Sequence, residues 1–216
     1  KFCQELIDRD LKIVWQLSGG TRTEAIDENI IIKAKKAGCV YLGFAPESGS
    51  KKVLKEINKQ VDLDRMFKLF KIAKKHNMGT RANIIVGFPN DTRITILQSL
   101  WMQIRLVFLN VLDVPIFEFS AYPGTNYFKL LQRRKKISTD LNLKDDYFNS
   151  LGQGLPVSKR AQYCQKVGPR ELAFYQFAGM SLFYILQYVF KPIRLYKFIK
   201  NFLTNSYSES VFEQRI

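Results

Sequence analysis

Four short apolar runs, each released into a polar loop bearing glycine or proline, constrain this chain most. Leu11–Leu17, Val40–Phe44, Ala82–Gly87 and Val114–Ser120 are rich in β-branched and aromatic residues and read as strands. Between them lie segments with apolar residues at helical spacing. Asp27–Ala37 carries Ile30, Ile31 and Ala34, Leu63–His76 carries Met66, Leu69, Phe70 and Ala73, and Thr95–Val107 is a third. Gly38 and Gly79 are placed to stop the first two. Near-continuous apolar strands joined by helices are the pattern of a parallel sheet, so the fold class is α/β. In a parallel β/α barrel all strands point one way. The loops Ser18–Arg22, Pro46–Ser50, Phe88–Asp91 and Tyr122–Thr125 are then expected to share one mouth, where such folds carry their sites.

Composition narrows the class. With 46% hydrophobic residues in 216, the chain can bury a sizeable core and is not a disordered sequence. It opens on Lys1 inside an amphipathic pattern (Phe2, Leu6, Ile7), which sets the expectation of a longer protein that has lost its N-terminal part. Cys3, Cys39 and Cys164 form no CxxC pair. Their odd number and wide spacing argue against a disulfide framework and fit a reducing, cytoplasmic setting. Cys39, beside Val40 and Leu42, reads as a small buried hydrophobe, and the single His76 as a helix-end residue. The net charge of +15 would attract phosphates, although the cations are scattered rather than gathered in one block.

After about Gln132 the character changes. Arg133–Lys136 is a basic run, Asp140–Ser158 is polar, and Gly168-Pro169 opens a long helical segment. Ala173–Phe190 has no charged residue, and its length approaches the roughly 20 residues that cross a bilayer. It also holds Gln176, Ser181 and Gln187. Next come Lys191, Arg194, Lys197 and Lys200, interleaved with Ile193, Leu195, Phe198 and Phe202. Three readings stay open: a helical pair packed on the barrel, a helix lying on a membrane surface through residues 173–203, or a true span. The division expected is residues 1–132 as the later part of a barrel and 133–216 as a basic, apolar helical extension.

On residue chemistry alone, Glu47 and Ser48 could hydrogen-bond a ribose or an amine, or Glu47 could pair with a lysine while Ser50 caps the next helix. The order of the loops says more. Trp15 and Arg22 come first, then Ala37-Gly38-Cys39 leading through Gly43 to Glu47-Ser48-Gly49-Ser50. Ile57-Asn58-Lys59 follows, then Ile84–Asp91, then a strand ending in Pro123-Gly124-Thr125. Over roughly residues 1–130 this series resembles the radical S-adenosylmethionine (radical SAM) superfamily, and most of all its branch with an upstream cobalamin-binding domain. The resemblance implies a partial TIM-like (β/α) barrel of radical SAM type with a C-terminal helical extension. It implies that Glu47, with Ser48 beside it, ends the fourth barrel strand and contacts the ribose of SAM. The family's fifth strand carries G-x-I-x-G-x-x-E against the adenine, and this chain reads Asn83-x-Ile85-x-Gly87-x-x-Asn90. Two signposts are changed, so backbone packing by Ile85 and Gly87 is a firmer expectation than a side-chain role for Asn90. Ala121 and Tyr122 would offer backbone contacts to adenine, and Arg22 would meet a carboxylate or phosphate in the mouth.

The family's CxxxCxxC loop and its SAM amino-group motif precede these strands, and neither is in this sequence. The three cysteines cannot stand in for the triplet, so no metal ligand is expected here. The resemblance implies an enzyme whose complete form cleaves SAM reductively at a [4Fe–4S] cluster, with flavodoxin or ferredoxin as the type of reductant. Its substrate would be a small or lipid-like molecule, and the place of action cytoplasmic, peripheral on the inner membrane face. Cobalamin, if used, would add methyl transfer or ring formation. Two other functions stay open: a non-catalytic membrane-surface module built on Phe174–Phe202, and an RNA-modifying relative using Arg133–Lys136. Nucleic acid ranks last, because the basic run lacks the aromatic interleaving of RNA modules.

Overall fold

The computed structural model describes residues 1–21, 23–109, 111–137 and 162–204. In chain order the elements are α1 (Phe2–Asp8), β1 (Trp15–Thr21), α2 (Glu28–Lys36), β2 (Cys39–Glu47), α3 (Lys51–Glu56) and α4 (Leu63–Lys75). They continue with β3 (Gly79–Val86), α5 (Arg93–Phe108), β4 (Ile116–Glu118), α6 (Asn126–Arg133), α7 (Pro169–Phe190) and α8 (Pro192–Thr204). The four strands form one parallel sheet in sequence order, β1-β2-β3-β4. This is an α/β arrangement of the partial-barrel kind that the repeated strand–helix pattern dictates.

β3 shows how the sheet is divided. Thr80, Ala82, Ile84 and Val86 are buried toward the helices, while Arg81, Asn83 and Ile85 are half-buried on the opposite, concave face. α2, α4, α5 and α7 cover the helix side. α4 buries Met66, Phe67, Leu69, Phe70 and Ala73, a stripe at helical spacing. Phe70 meets Phe44 of β2 edge-on at 4.8 Å between ring centroids. Cys39 is fully buried in this core and His76 is the C-cap of α4, as their surroundings in the sequence predict.

Two sequence expectations are corrected. The first strand occupies Trp15–Thr21 rather than Leu11–Leu17, and Ser18-Gly19-Gly20 lies within it instead of ending it. Leu17 pairs with Leu42 and Thr21 with Phe44, so the glycines form a bulge in the strand, not a turn. Trp15 fixes that start, its indole Nε1 donating to the Ala37 carbonyl at 2.7 Å. Glycine at 38 is required there, with φ +89° and a Cβ that would fall 2.0 Å from the Ile13 carbonyl oxygen. The second correction is α6, which the periodicity did not reveal. The Pro123-Gly124-Thr125 signal is its start, since the Thr125 hydroxyl accepts from the Phe128 amide.

The long apolar helix α7 packs on α5 and β4 and feeds Leu172, Phe183 and Tyr184 into the main core. Gly179 makes the approach possible, because a Cβ there would stand 2.5 Å from Ile116 Cδ1 and 2.7 Å from Leu100 Cδ2. Polar side chains on its inner face bind the sheet. Gln176 donates to the Ile116 carbonyl at 2.7 Å, and Gln103 of α5 donates to that of Val114 at 3.1 Å. Tyr184 donates to Asp113, and burial, then that carboxylate, push the phenol well above its usual range.

Lys191 follows α7 and donates to the Val107 carbonyl at 2.6 Å, near the C-terminus of α5. Burial, with Arg194 and Lys74 nearby, pulls its ammonium down from the ordinary 10.5 to about 8. Between those values the unfolded chain holds a proton that the folded chain has released, so stability rises with pH across that window. The difference in denaturant midpoint between the native chain and Lys191→Gln, which retains the donor without the charge, should shift in favour of the native chain as pH rises from about 8 to about 10.

Candidate active site

The concave face of the sheet and its strand-end loops enclose a cleft of about 680 Å³. Ala45 of β2, Ile85 of β3 and Phe117 of β4 line its floor, Asn83 of β3 stands in its wall, and Glu47 ends β2 at its lip. Lys59, Phe119, Ser120 and Tyr122 line its rim. Glu47 sits at φ +65°, a left-handed backbone uncommon for a residue with a side chain, at a second bulge where Phe44 pairs with Ala82 and Glu47 with Ile84. The strain turns the carboxylate toward Lys59, with Oε1 3.0 Å from Nζ, both side chains partly accessible. The lysine pairing that Glu47 invites is therefore present, at the lip of the cleft. Lower in the sheet, the Arg81 guanidinium lies over the Phe117 ring at 5.9 Å and 3.7 Å from Asp113.

Of the residues singled out in the sequence, Glu47, Ile85 and Tyr122 come together in this cleft, Tyr122 half exposed. The others stand elsewhere. Ser48 is buried and turned to α5, its hydroxyl 3.1 Å from that of Ser99 and accepting from the Ser50 amide. Ser50 is the N-cap of α3 by backbone position, without a side-chain capping bond. Gly87 adopts φ +87°, but the space over it belongs to Leu172, whose Cδ1 would be 3.1 Å from a Cβ there. Asn90 is exposed, and the helix that follows is capped by Thr92, in a capping box with Thr95. Ala121 is fully buried in a second apolar cluster with Phe88, Phe119, Phe128 and Tyr163. Arg22 lies outside the described residues.

Asp91 instead closes the loop. Its Oδ2 accepts from the amides of Gly87 at 2.9 Å and Phe88 at 3.0 Å, and its Oδ1 accepts from Thr95 Oγ1 at 2.7 Å. Burial raises its carboxyl above the ordinary 3.8 despite those three donors.

Sequence reasoning gave Asn83 no role, yet its Oδ1 is buried in the cleft wall with no hydrogen-bond partner among the described residues. The signal was present: an amide stands where the G-x-I-x-G-x-x-E pattern has its first glycine. A buried acceptor of this kind calls for a donor, which water or a ligand in the cleft can supply. With an apolar floor and a carboxylate at the lip, the cleft suits a nucleoside, so SAM fits these residues. A cluster does not. Cys3, Cys39 and Cys164 are free thiols, and among the described residues no three His, Cys, Asp or Glu side chains are grouped to hold a metal.

Comparison with known proteins agrees with this geometry. Residues 1–100 match the model of the Radical SAM superfamily. An anaerobic magnesium-protoporphyrin IX monomethyl ester cyclase of Rubrivivax gelatinosus is 28% identical over 96 residues, 44% of this chain and 17% of that protein. An uncharacterized methyltransferase of Pyrococcus horikoshii is 27% identical over 152 residues, 65% of this chain and 31% of that protein. Among solved structures, a radical S-adenosylmethionine methyltransferase of Kitasatospora setae, with cobalamin and a [4Fe-4S] cluster bound, aligns over 54% of this chain and 24% of its own, at 12% identity and a TM-score of 0.46. The chain thus spans less than a third of the length of these relatives. Radical SAM enzymes use SAM and a [4Fe–4S] cluster, draw on a reductant, and act on small or macromolecular substrates. The match over residues 1–100 takes in β1, β2 and β3, which with β4 and the loop after it line the strand-end cleft, so this part of the chain is similar to the radical SAM superfamily.

Proposed function

We propose that this chain is the nucleoside-holding side of a radical SAM enzyme barrel. The complete protein would cleave SAM reductively and begin methyl transfer, ring formation or rearrangement on a small or lipid-like substrate. The observation that carries the reading is the orphaned Asn83 Oδ1 in the wall of a cleft whose lip holds Glu47. When bound and reduced, SAM supplies a 5′-deoxyadenosyl radical; the cofactors carry that chemistry and the barrel orients them. This chain's part is positional. Asn83 accepts from a hydroxyl or exocyclic amine of the nucleoside. Glu47, held by Lys59, takes a ribose hydroxyl or faces the sulfonium. Ile85 and Phe117 give the flat base an apolar floor, and Phe119 excludes water at the rim. The relatives named as a cyclase and a methyltransferase support the two reaction types, and cobalamin belongs to this reading as a partner held outside this chain. A flavodoxin or ferredoxin in the cytoplasm would be the electron donor.

The test is calorimetric titration of the chain with S-adenosylhomocysteine, which keeps the nucleoside without the sulfonium. Binding is expected, and Asn83→Leu should weaken it at least about tenfold, or 1.4 kcal/mol. Asn90→Ala, an exposed site, should leave it unchanged. A folded chain that binds nothing, or an Asn83→Leu variant that binds as well as the native chain, refutes the assignment.

A further inference from the structure

The C-terminal helices turn apolar side chains outward. α8 has no buried residue. Its inward contacts are Phe198, whose ring stacks on Tyr188 of α7 at 5.8 Å, and Arg194, which donates from Nη1 to the Val111 carbonyl at 3.1 Å and to the Gln187 side chain. The outward stripe is apolar, with Leu195, Tyr196, Ile199, Phe202 and Leu203 at helical spacing and between 38% and 76% exposed. α7 is apolar on both faces. One face is buried through Leu172, Gly179, Phe183 and Gln187, while Phe174, Phe177, Leu182, Ile185 and Val189 face outward at 42% to 74% exposure. No charged residue stands between Leu172 and Phe190. α5 adds exposed Leu97, Trp101 and Phe108, and the Phe108 ring meets Phe190 at 5.1 Å, so the stripes join. Single exposed hydrophobes are ordinary, but a joined stripe over three helices marks a surface that something covers.

Charge indicates what covers it. Pro192–Thr204 holds Arg194, Lys197 and Lys200 and no acid, and Lys191 stands just before it. A second copy would bring these cations against their own kind, whereas an anionic lipid surface complements them. We propose that the α5–α7–α8 face lies on a bilayer of anionic phospholipid, with the apolar stripe in the acyl boundary and the exposed Lys197 and Lys200 at the headgroups. α7 is long and apolar enough to cross a membrane by length and composition. Its hydrogen bonds from Gln176 to the Ile116 carbonyl of β4 and from Gln187 to the Val111 carbonyl before that strand hold it along the fold instead, so the attachment is peripheral. The inference rests on the outward face of the helices, not on the concave face of the sheet, and does not depend on what the cleft binds.

Flotation of the full chain with phosphatidylcholine vesicles, with and without roughly 30% phosphatidylglycerol, tests it. The chain is expected to float with the anionic vesicles and much less with the neutral ones. Ile199→Asp with Phe202→Asp should lower the floating fraction about tenfold, and Lys197→Gln with Lys200→Gln several-fold. Because α8 buries no side chain, both variants should keep the native melting midpoint and circular dichroism, which separates lost binding from lost folding. Three outcomes overturn the proposal: a native chain that stays out of the lipid fraction, aspartate variants that float undiminished, or a lipid-free dimer that the same aspartates dissociate.

Discussion

Replacing Asp91 with alanine is expected to destabilise the fold by about 3 kcal/mol. The side chain is 2% exposed and satisfies the amides of Gly87 and Phe88 and the Thr95 hydroxyl at once. Alanine removes all three acceptor contacts and leaves two buried main-chain donors without partners, each worth roughly 1–3 kcal/mol, with some relief from not burying a carboxylate. Gly87 then loses the brace that keeps it under Leu172, and Phe88 the one that seats it on Phe119 at 5.0 Å. Asp91→Asn should cost less, about 1 kcal/mol, since it keeps an acceptor and has no charge to desolvate. Urea denaturation of both variants reads the difference. Equal, small losses would mean that the loop is held by its packing alone.

Phe183→Ala is expected to cost about 3–5 kcal/mol, as large-to-small changes in tight cores do. Phe183 is 1% exposed and stands in the main core with Ile84, Leu106 and Ile116, its ring 5.4 Å from that of Tyr184. The helix it belongs to comes after the residues that match the family, so the size of the loss measures how far the barrel depends on it. Phe177→Ala, on the outward face of the same helix, should change stability by less than about 0.5 kcal/mol. A cost below about 1 kcal/mol at Phe183 would mean that the β-sheet is stable without α7.

The fold was legible where periodicity and burial agree. The helical stripe of Met66, Leu69, Phe70 and Ala73 and the apolar run at Ile84–Val86 could lie only one way. Glycines misled at both ends of that logic. Gly19 and Gly20 read as a turn but make a bulge, because β2 runs past them to Glu47 and keeps the strand paired. Gly87 read as room for a flat ligand, but a helix about 85 residues later in the chain fills that room with Leu172. The site was half legible for a related reason. Glu47 and Ile85 follow from their places at strand ends, whereas Ser48, one residue beyond the bulge at Glu47, turns to α5. Asn83 was passed over because a family pattern draws the eye to kept residues, and here the changed one presents a side chain to the cleft.

The glutamines that meet β4 have a consequence for assembly. Toward β3 the strand offers Asp113, Pro115 and Phe119, and the carbonyls of Val114 and Ile116 point the other way, where a neighbouring strand would take them. Gln103 and Gln176 occupy both, so that border of the sheet is sealed by amides standing in for a missing ladder. Among the described residues the opposite border, along β1, has no such seal. A strand added to this sheet therefore meets less resistance beside β1, whereas one arriving at β4 must first displace two side chains.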